Sequence, residues 1–288
     1  MALLKDIKSR IQSVQSTQKI TSAMMMVSSS KLRKAHNIFF NLSPYESKLS
    51  ELLHIFLNDE KLPPIPFTQN LVVERVAIIA FSSNSGLCGR FNHNIIDNLK
   101  EIVKKWSYLG KDNILVYPVG DKVASAAAKM DVTIAGRFSH ISENPSYKEA
   151  DIIANKLMND FVNGKLDRVE LLYHHFKSRG TQIITHEPLL PIELHAESQS
   201  NEENNQYIIE PDRATLLTEL IPKVIKLKLF TTHVDSVTSE NAARMIAMQI
   251  ATDNADNLLE ELKLEYNKLR QQSITNELLD IMGGATGR

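Results

Sequence analysis

The sequence predicts an α/β protein: a long antiparallel coiled coil of the N- and C-terminal helices, plus a central Rossmann-like α/β domain with a largely parallel sheet. Three observations predict it. Of ten glycines, seven lie between Gly86 and Gly180 and three in the last six residues, so 1–85 and 181–282 contain none. The first proline is Pro44, and none follows Pro222. Heptad-spaced apolar positions fill both ends, whereas short apolar runs alternate with amphipathic stretches between them. Glycine and proline interrupt helices, so both ends are free to extend. At 1.5 Å per residue, Met1–Ser43 reaches roughly 65 Å and Lys223–Met282 roughly 90 Å, against a radius of gyration of about 19 Å for a compact domain of this size. Such rods are expected to project from a globule, which places function in reach and stiffness. The expected segments are 1–58 for the first rod, 72–195 for the central domain and 211–283 for the second rod.

In the first rod, steps of three and four from Leu4 give positions 4, 7, 11, 14, 18, 21, 25, 28, 32, 35, 39 and 42. Nine of these twelve are apolar, the pattern of a coiled-coil seam; the exceptions are Gln18, Thr21 and Ser28. Polar seam residues fix register or face something other than the partner helix. The same spacing near the C-terminus gives Met245, Met248, Thr252, Ala255, Leu259, Leu262, Tyr266 and Leu269. A folded middle returns the chain, so the two seams most simply pair antiparallel; a parallel homodimer is the competing arrangement. Between them, Val76–Phe81, Ile114–Val119, Val132–Ala135, Val169–Tyr173 and Gln182–Thr185 read as strands. A helix carrying Ile95, Ile96, Leu99, Ile102, Val103 and Trp106 on one face follows the first strand. Val123–Met130 and Tyr147–Phe161 supply two more. Alternating strand and helix implies a parallel sheet. Leu62-Pro-Pro-Ile-Pro66 is a stiff linker into this domain, and Ser198–Gln206 a polar loop out of it.

Composition bounds the function. With 43% apolar residues, 23% charged and a net charge of −1, the chain does not look like a dedicated nucleic-acid binder. Its charge is uneven: Lys5, Lys8, Arg10, Lys19, Lys31, Arg33 and Lys34 face only Asp6 within 1–42. That basic surface is either a solvated helix face or one aimed at a partner. Cys88 is the only cysteine, which excludes an intramolecular disulfide. No run of 18 apolar residues exists, and the N-terminus lacks the apolar stretch of a cleavable signal.

Chemical motifs are missing. The loop Ser82–Asn92 offers Gly86-x-x-Gly89, not the G-x-G-x-x-G of a dinucleotide site, and no P-loop occurs. A tight strand-to-helix turn with Asn92 as N-cap is expected there, in preference to a phosphate site. Cys88 has no adjacent base and reads as a small buried residue. His174 and His175, adjacent on a strand, point to opposite faces and cannot share a metal. Met24-Met25-Met26 reads as core packing, with an adaptable contact surface as the alternative. Neither G-x-S-x-G nor H-E-x-x-H appears. The expectation is an interaction protein with no cofactor, no metal and no catalytic residue of its own.

Several stretches resemble the ATP synthase gamma subunit, bacterial type. In the first rod these are Ile7-Lys8-Ser9-Arg10-Ile11, Thr17-Gln18-Lys19-Ile20-Thr21, Ala23-Met24 and Lys31-Leu32-Arg33-Lys34-Ala35. In the middle they are Ser82-Ser83, Gly86-Leu87-Cys88-Gly89 and Phe91-Asn92. Tyr207 and Glu210-Pro211-Asp212 lead into the second rod, which carries Ala242-Ala243-Arg244-Met245, Ala251-Thr252-Asp253-Asn254, Arg270-Gln271 and Ser273-Ile274-Thr275 with Glu277. Asn84-Ser85, Arg90 and Gly287 depart from that family's usual residues. The redox-regulated chloroplast type has an extra cysteine-containing insertion, which a chain with Cys88 alone lacks.

The resemblance implies the central rotor shaft of F-type ATP synthase, a non-catalytic subunit. One copy would serve three alpha and three beta subunits, with the epsilon subunit and the c-subunit ring at the foot. It would sit peripherally on the cytoplasmic face of the bacterial inner membrane, without inserting into it. The implied coupling contacts are Met24, Arg244, Arg270, Gln271, Thr275 and Glu277; the implied foot contacts are Tyr207 and Glu210. Two rival readings are a coiled-coil nucleic-acid-binding protein, which requires salt-dependent affinity, and an oxidoreductase, which requires a dinucleotide site.

Overall fold

A computed structural model describes residues 2–57, 66–68, 72–192, 207, 209, 210 and 212–285. The linker at 62–65, the loop Ser198–Gln206, Pro211 and Gly287 lie outside them. Ten elements carry the fold. They are α1 (Ala2–Leu57), β1 (Val76–Phe81), α2 (Phe91–Trp106), β2 (Ile114–Val119), α3 (Asp121–Ala127), β3 (Thr133–Ile134), α4 (Tyr147–Val162), β4 (Arg168–Ser178), β5 (Thr181–Leu190) and α5 (Arg213–Ala285). Both rods are longer than the proline positions suggested. Pro44 lies inside the 56-residue α1 and Pro222 inside the 73-residue α5. A proline within a helix removes one N–H and crowds the carbonyl four residues back. Pro44 is exposed, so water can serve that carbonyl while buried residues on either side hold the helix.

The chain divides into two compact units, residues 1–29 with 244–288 and residues 30–243. The first is a pair of helical segments. Every seam position read from the sequence in this unit is buried or half-buried, among them Ile7, Thr21, Ser28, Met248, Ala255, Leu259 and Leu262. The segments join at the Thr21 and Thr252 hydroxyls, 2.8 Å apart. Continued antiparallel from that contact, the two heptad frames coincide: Ile7 falls opposite Tyr266, Ile11 opposite Leu262 and Val14 opposite Leu259. Thr21 therefore sets register, as a polar seam residue should. Ser28 instead donates to the Met24 carbonyl of its own helix, at 2.8 Å.

In the second unit a five-stranded sheet has the order β3-β2-β1-β4-β5. β1 runs parallel to β2 and β4, and β3 parallel to β2; β5 is an antiparallel edge. Strand residues alternate between two cores. Ala77, Ile79, Phe81, Val169 and Leu171 pack with α4 residues Ile153, Leu157 and Phe161, and with Leu53 and Phe56 of α1 and Leu217, Ile221 and Leu229 of α5. Val76, Ile78, Ala80, Val116 and Leu172 pack with Ile95, Leu99, Ile102 and Trp106 of α2 and Val123 of α3. Glu170, 1% exposed, faces the second core and binds Arg168 Nε (2.8 Å), Trp106 Nε1 (3.1 Å) and His186 Nε2 (2.9 Å). Burial alone would raise its pKa; the hydrogen bonds from His186 and Arg168 outweigh this and lower it.

Candidate functional site

The loop after β1, the one place where the sequence leaves a nucleotide site open, is tied together by its own side chains. Asn92 is not an N-cap: α2 begins at Phe91, and no side chain caps it. The Asn92 side chain turns inward, where Oδ1 accepts from the Ser83 amide (3.0 Å) and Nδ2 donates to Ser83 Oγ (2.8 Å) and Cys88 Sγ (3.1 Å). The start of α3 is occupied too. Val123 N–H donates to Ser82 Oγ at 3.0 Å, and Asp121 N–H to Asn84 Oδ1 at 3.1 Å. Gly120, at φ +112°, lets the chain pass so close that an added Cβ would stand 2.2 Å from the Ser82 carbonyl oxygen. The amides of Ser83, Asp121 and Val123 are thus taken by side chains of the loop itself.

The histidine pair separates as the strand period requires. His174 is buried and stacks on Phe91, ring centroids 4.3 Å apart, and burial pushes its pKa down to about 4. His175 turns to the other face, with Nδ1 2.7 Å from the Asp235 carboxylate. Cys88 is 1% exposed, a small core residue. A cleft of about 560 Å³ lies within the second unit, between α1, β5 and α5. Its charges answer one another: Lys228 lies 3.2 Å from Glu187 and 3.9 Å from Glu46, and Tyr173 donates to Glu187 at 2.9 Å. No group of three or more His, Cys, Asp or Glu fit to hold a metal occurs among the described residues.

The implied coupling contacts fall on helix surfaces. Met24 and Arg244 are half-buried, whereas Arg270, Gln271, Thr275 and Glu277 are exposed. Thr275 Oγ1 donates to the Gln271 carbonyl (2.9 Å) and Ser273 Oγ to Glu277 Oε1 (3.4 Å). Sequence reasoning missed their apolar company. Ile274, Leu278 and Met282 recur every fourth residue and are 48%, 56% and 68% exposed, with Leu279 beside them. Continuing the seam past Leu269 would have shown that the stripe shifts face. In the other unit, Tyr207 meets the ring of Phe56 edge-on at 5.7 Å, and Arg213 lies 5.8 Å from that ring. Asp212 opens α5 by accepting from Thr215 N–H (2.9 Å) and Thr215 Oγ1 (2.6 Å), bonds that lower its pKa. Glu210 is exposed. All seven cations of 1–42 are exposed, and Lys31 pairs with Glu143 at 3.0 Å.

Fold and surface define a protein built on an antiparallel helix pair and a mixed α/β body, whose candidate coupling contacts lie on helices. A family model described as ATP synthase matches residues 3–287. The ATP synthase gamma chain of Bacteroides fragilis is 51% identical over 288 residues, covering 99% of both chains. That of Bacteroides thetaiotaomicron is 50% identical over 296 residues, again with 99% of each covered. A chain in the cryo-EM structure of the Euglena gracilis mitochondrial ATP synthase (OSCP, F1 and c-ring, rotational state 3) shares the fold. Its TM-score is 0.67 at 18% identity, over 99% of this chain and 94% of that one. The chain belongs to the ATP synthase gamma-chain family.

Proposed function

We propose that this chain is the central rotor shaft of a bacterial F-type ATP synthase, carrying proton-driven rotation of the c ring to the catalytic beta subunits. The observation that carries the reading is full-length likeness to gamma chains in a molecule whose two heptad seams meet in one register at Thr21 and Thr252. The chain supplies no catalytic group; nucleotide chemistry belongs to the alpha and beta subunits, one gamma serving three of each. Segments 1–58 and 211–283 form the shaft, and 72–195 the body that meets the epsilon subunit and the c ring. It works as a peripheral protein on the cytoplasmic face of the inner membrane. No helix among the described residues is long and apolar enough to cross a membrane.

Within this reading, Met24, Arg244, Arg270, Gln271, Thr275 and Glu277 are coupling contacts to alpha and beta, and Tyr207 and Glu210 contact the foot. The exposed stripe Ile274, Leu278 and Met282 suits a smooth apolar sleeve, because apolar contact is non-directional and lets a shaft turn without fixed anchors. Coexpression with alpha and beta subunits followed by native mass measurement tests the assembly; one copy per three of each is expected. Met24→Lys tests coupling: an added cation should anchor the shaft and reduce ATP-driven proton pumping more than hydrolysis. Equal loss of both would count against Met24 as a coupling contact.

A further inference from the structure

β4 is longer than the strand beside it. β1 pairs with it only from Arg168 to Leu172, after which the chain turns away and the Ser82 amide bonds to Val119 of β2. β4 continues to Ser178, paired with β5 on its other side. Beyond Leu172 its β1-side edge needs acceptors and donors from elsewhere, since buried main-chain groups are almost always satisfied. α5 provides one of each. Asp235 Oδ1 accepts from the Phe176 amide at 2.8 Å, and Ser239 Oγ donates to the His174 carbonyl at 3.0 Å. The two side chains are one helical turn apart, 3% and 0% exposed, and span adjacent groups of the same strand edge. The second Asp235 oxygen lies 2.7 Å from His175 Nδ1. α1 backs the joint: His36 meets the Phe176 ring at 5.4 Å, and Phe39 meets His175 at 6.3 Å.

We propose that Asp235 and Ser239 form a main-chain clamp by which α5 takes the place of the missing strand, and that torque passes between the sheet and the C-terminal helix at this clamp. The physical reason is directionality. Apolar packing by Ile225 and Leu229 gives adhesion but resists sliding and twisting only softly. Two hydrogen bonds to strand backbone, one turn apart, fix the helix both along its axis and about it. Asp235 and Ser239 are positioning residues: they touch neither nucleotide nor proton path. The inference rests on the rotor reading.

The test uses the complete membrane complex carrying Asp235→Ala, Asp235→Asn or Ser239→Ala, comparing ATP hydrolysis with ATP-driven proton pumping. In Asp235→Ala, pumping should fall severalfold more than hydrolysis. Asp235→Asn, whose amide oxygen still accepts from Phe176, should restore most of the ratio, and Ser239→Ala should lose less than Asp235→Ala. In the free full-length chain, Asp235→Ala should speed hydrogen exchange at the Phe176 amide by about tenfold or more. An unchanged pumping-to-hydrolysis ratio in Asp235→Ala, or an unchanged Phe176 exchange rate, overturns the clamp. If Asp235→Ala does not assemble, Ser239→Ala decides, and an unaltered ratio there overturns it. Coupled pumping by a complex rebuilt without this chain would instead remove the rotor role, a separate failure.

Discussion

One helix, α5, reverses the usual relation between polarity and burial along its length. Residues 231–242 are all buried although nine of the twelve are polar, whereas Ile274, Leu278, Leu279 and Met282 are exposed. The buried stretch survives because several of its polar groups are answered: Asp235 and Ser239 by β4, and Thr238 and Asn241 by carbonyls one turn back at 2.7 and 2.8 Å. Hydrogen bonds to a fixed strand give this part of the helix one position. Ile274, Leu278 and Leu279 carry hydrocarbon side chains, which offer no hydrogen-bonding group. Burial in this helix follows what stands opposite each face, and the polar stretch is where position is specified.

The largest effect should come from breaking the buried stretch. Val234 is fully enclosed, so Val234→Asp adds a carboxylate without a partner and should cost about 4 kcal/mol or more. Urea denaturation of the free chain checks it, and near-normal stability would break the contrast. Acid probes the same region. Burial pushes His233 and His174 down to about 4 from 6.5, against hydrogen bonds that the His233 ring donates to the backbone at Ser142 and Ile141, which favour its charged form. The unfolded chain therefore binds more protons between those values. Stability from each neutral histidine is complete above about pH 6.5 and is lost as pH falls toward about 4, roughly 3 kcal/mol apiece. Asp235, whose pKa burial raises, acts in the opposite sense. His233→Leu should flatten the slope by one proton in denaturation midpoints measured across this window.

Smaller effects sharpen the comparison at the helix pair. Thr252→Val alone leaves the Thr21 hydroxyl without its 2.8 Å partner and should cost about 1 kcal/mol. The double change with Thr21→Val should be close to neutral, and a double-mutant cycle separates the two outcomes. Leu278→Ser should change the stability of the free chain by less than about 0.5 kcal/mol. Its consequence should appear in the assembled complex, as weaker retention of this chain on native mass measurement. A large loss in the free chain would mean the stripe is already packed.

Much of the fold was legible. The strands at 76–81 and 114–119 and the start of α4 at Tyr147 fall where their apolar runs place them, and the seam positions from Leu4 to Leu42 all escape full exposure. Element ends were less legible. Pro44 and Pro222 lie inside the expected rods 1–58 and 211–283, and each helix runs through its proline. β4 and β5 outrun their apolar cores because a two-residue turn at Arg179-Gly180 lets them pair out to their tips. Asn92 read as a helix cap because its type and place suit one; only its inward turn to Ser83 gives it another task.

By itself the sequence determined the periodicities: a repeat near 3.5 at both ends, alternating strand and helix between, and the absence of a phosphate-binding glycine motif. Those are local properties, set by which side chains a helix or strand of given pitch brings to one face. The tertiary structure alone decided that Thr21 meets Thr252, that nine polar residues of α5 lie buried, and that Asp235 and Ser239 complete the edge of β4. The Thr21, Asp235 and Ser239 pairings join residues 59 to 231 positions apart in the chain. Such pairings depend on where folded elements come to rest, which no pattern within a single segment contains.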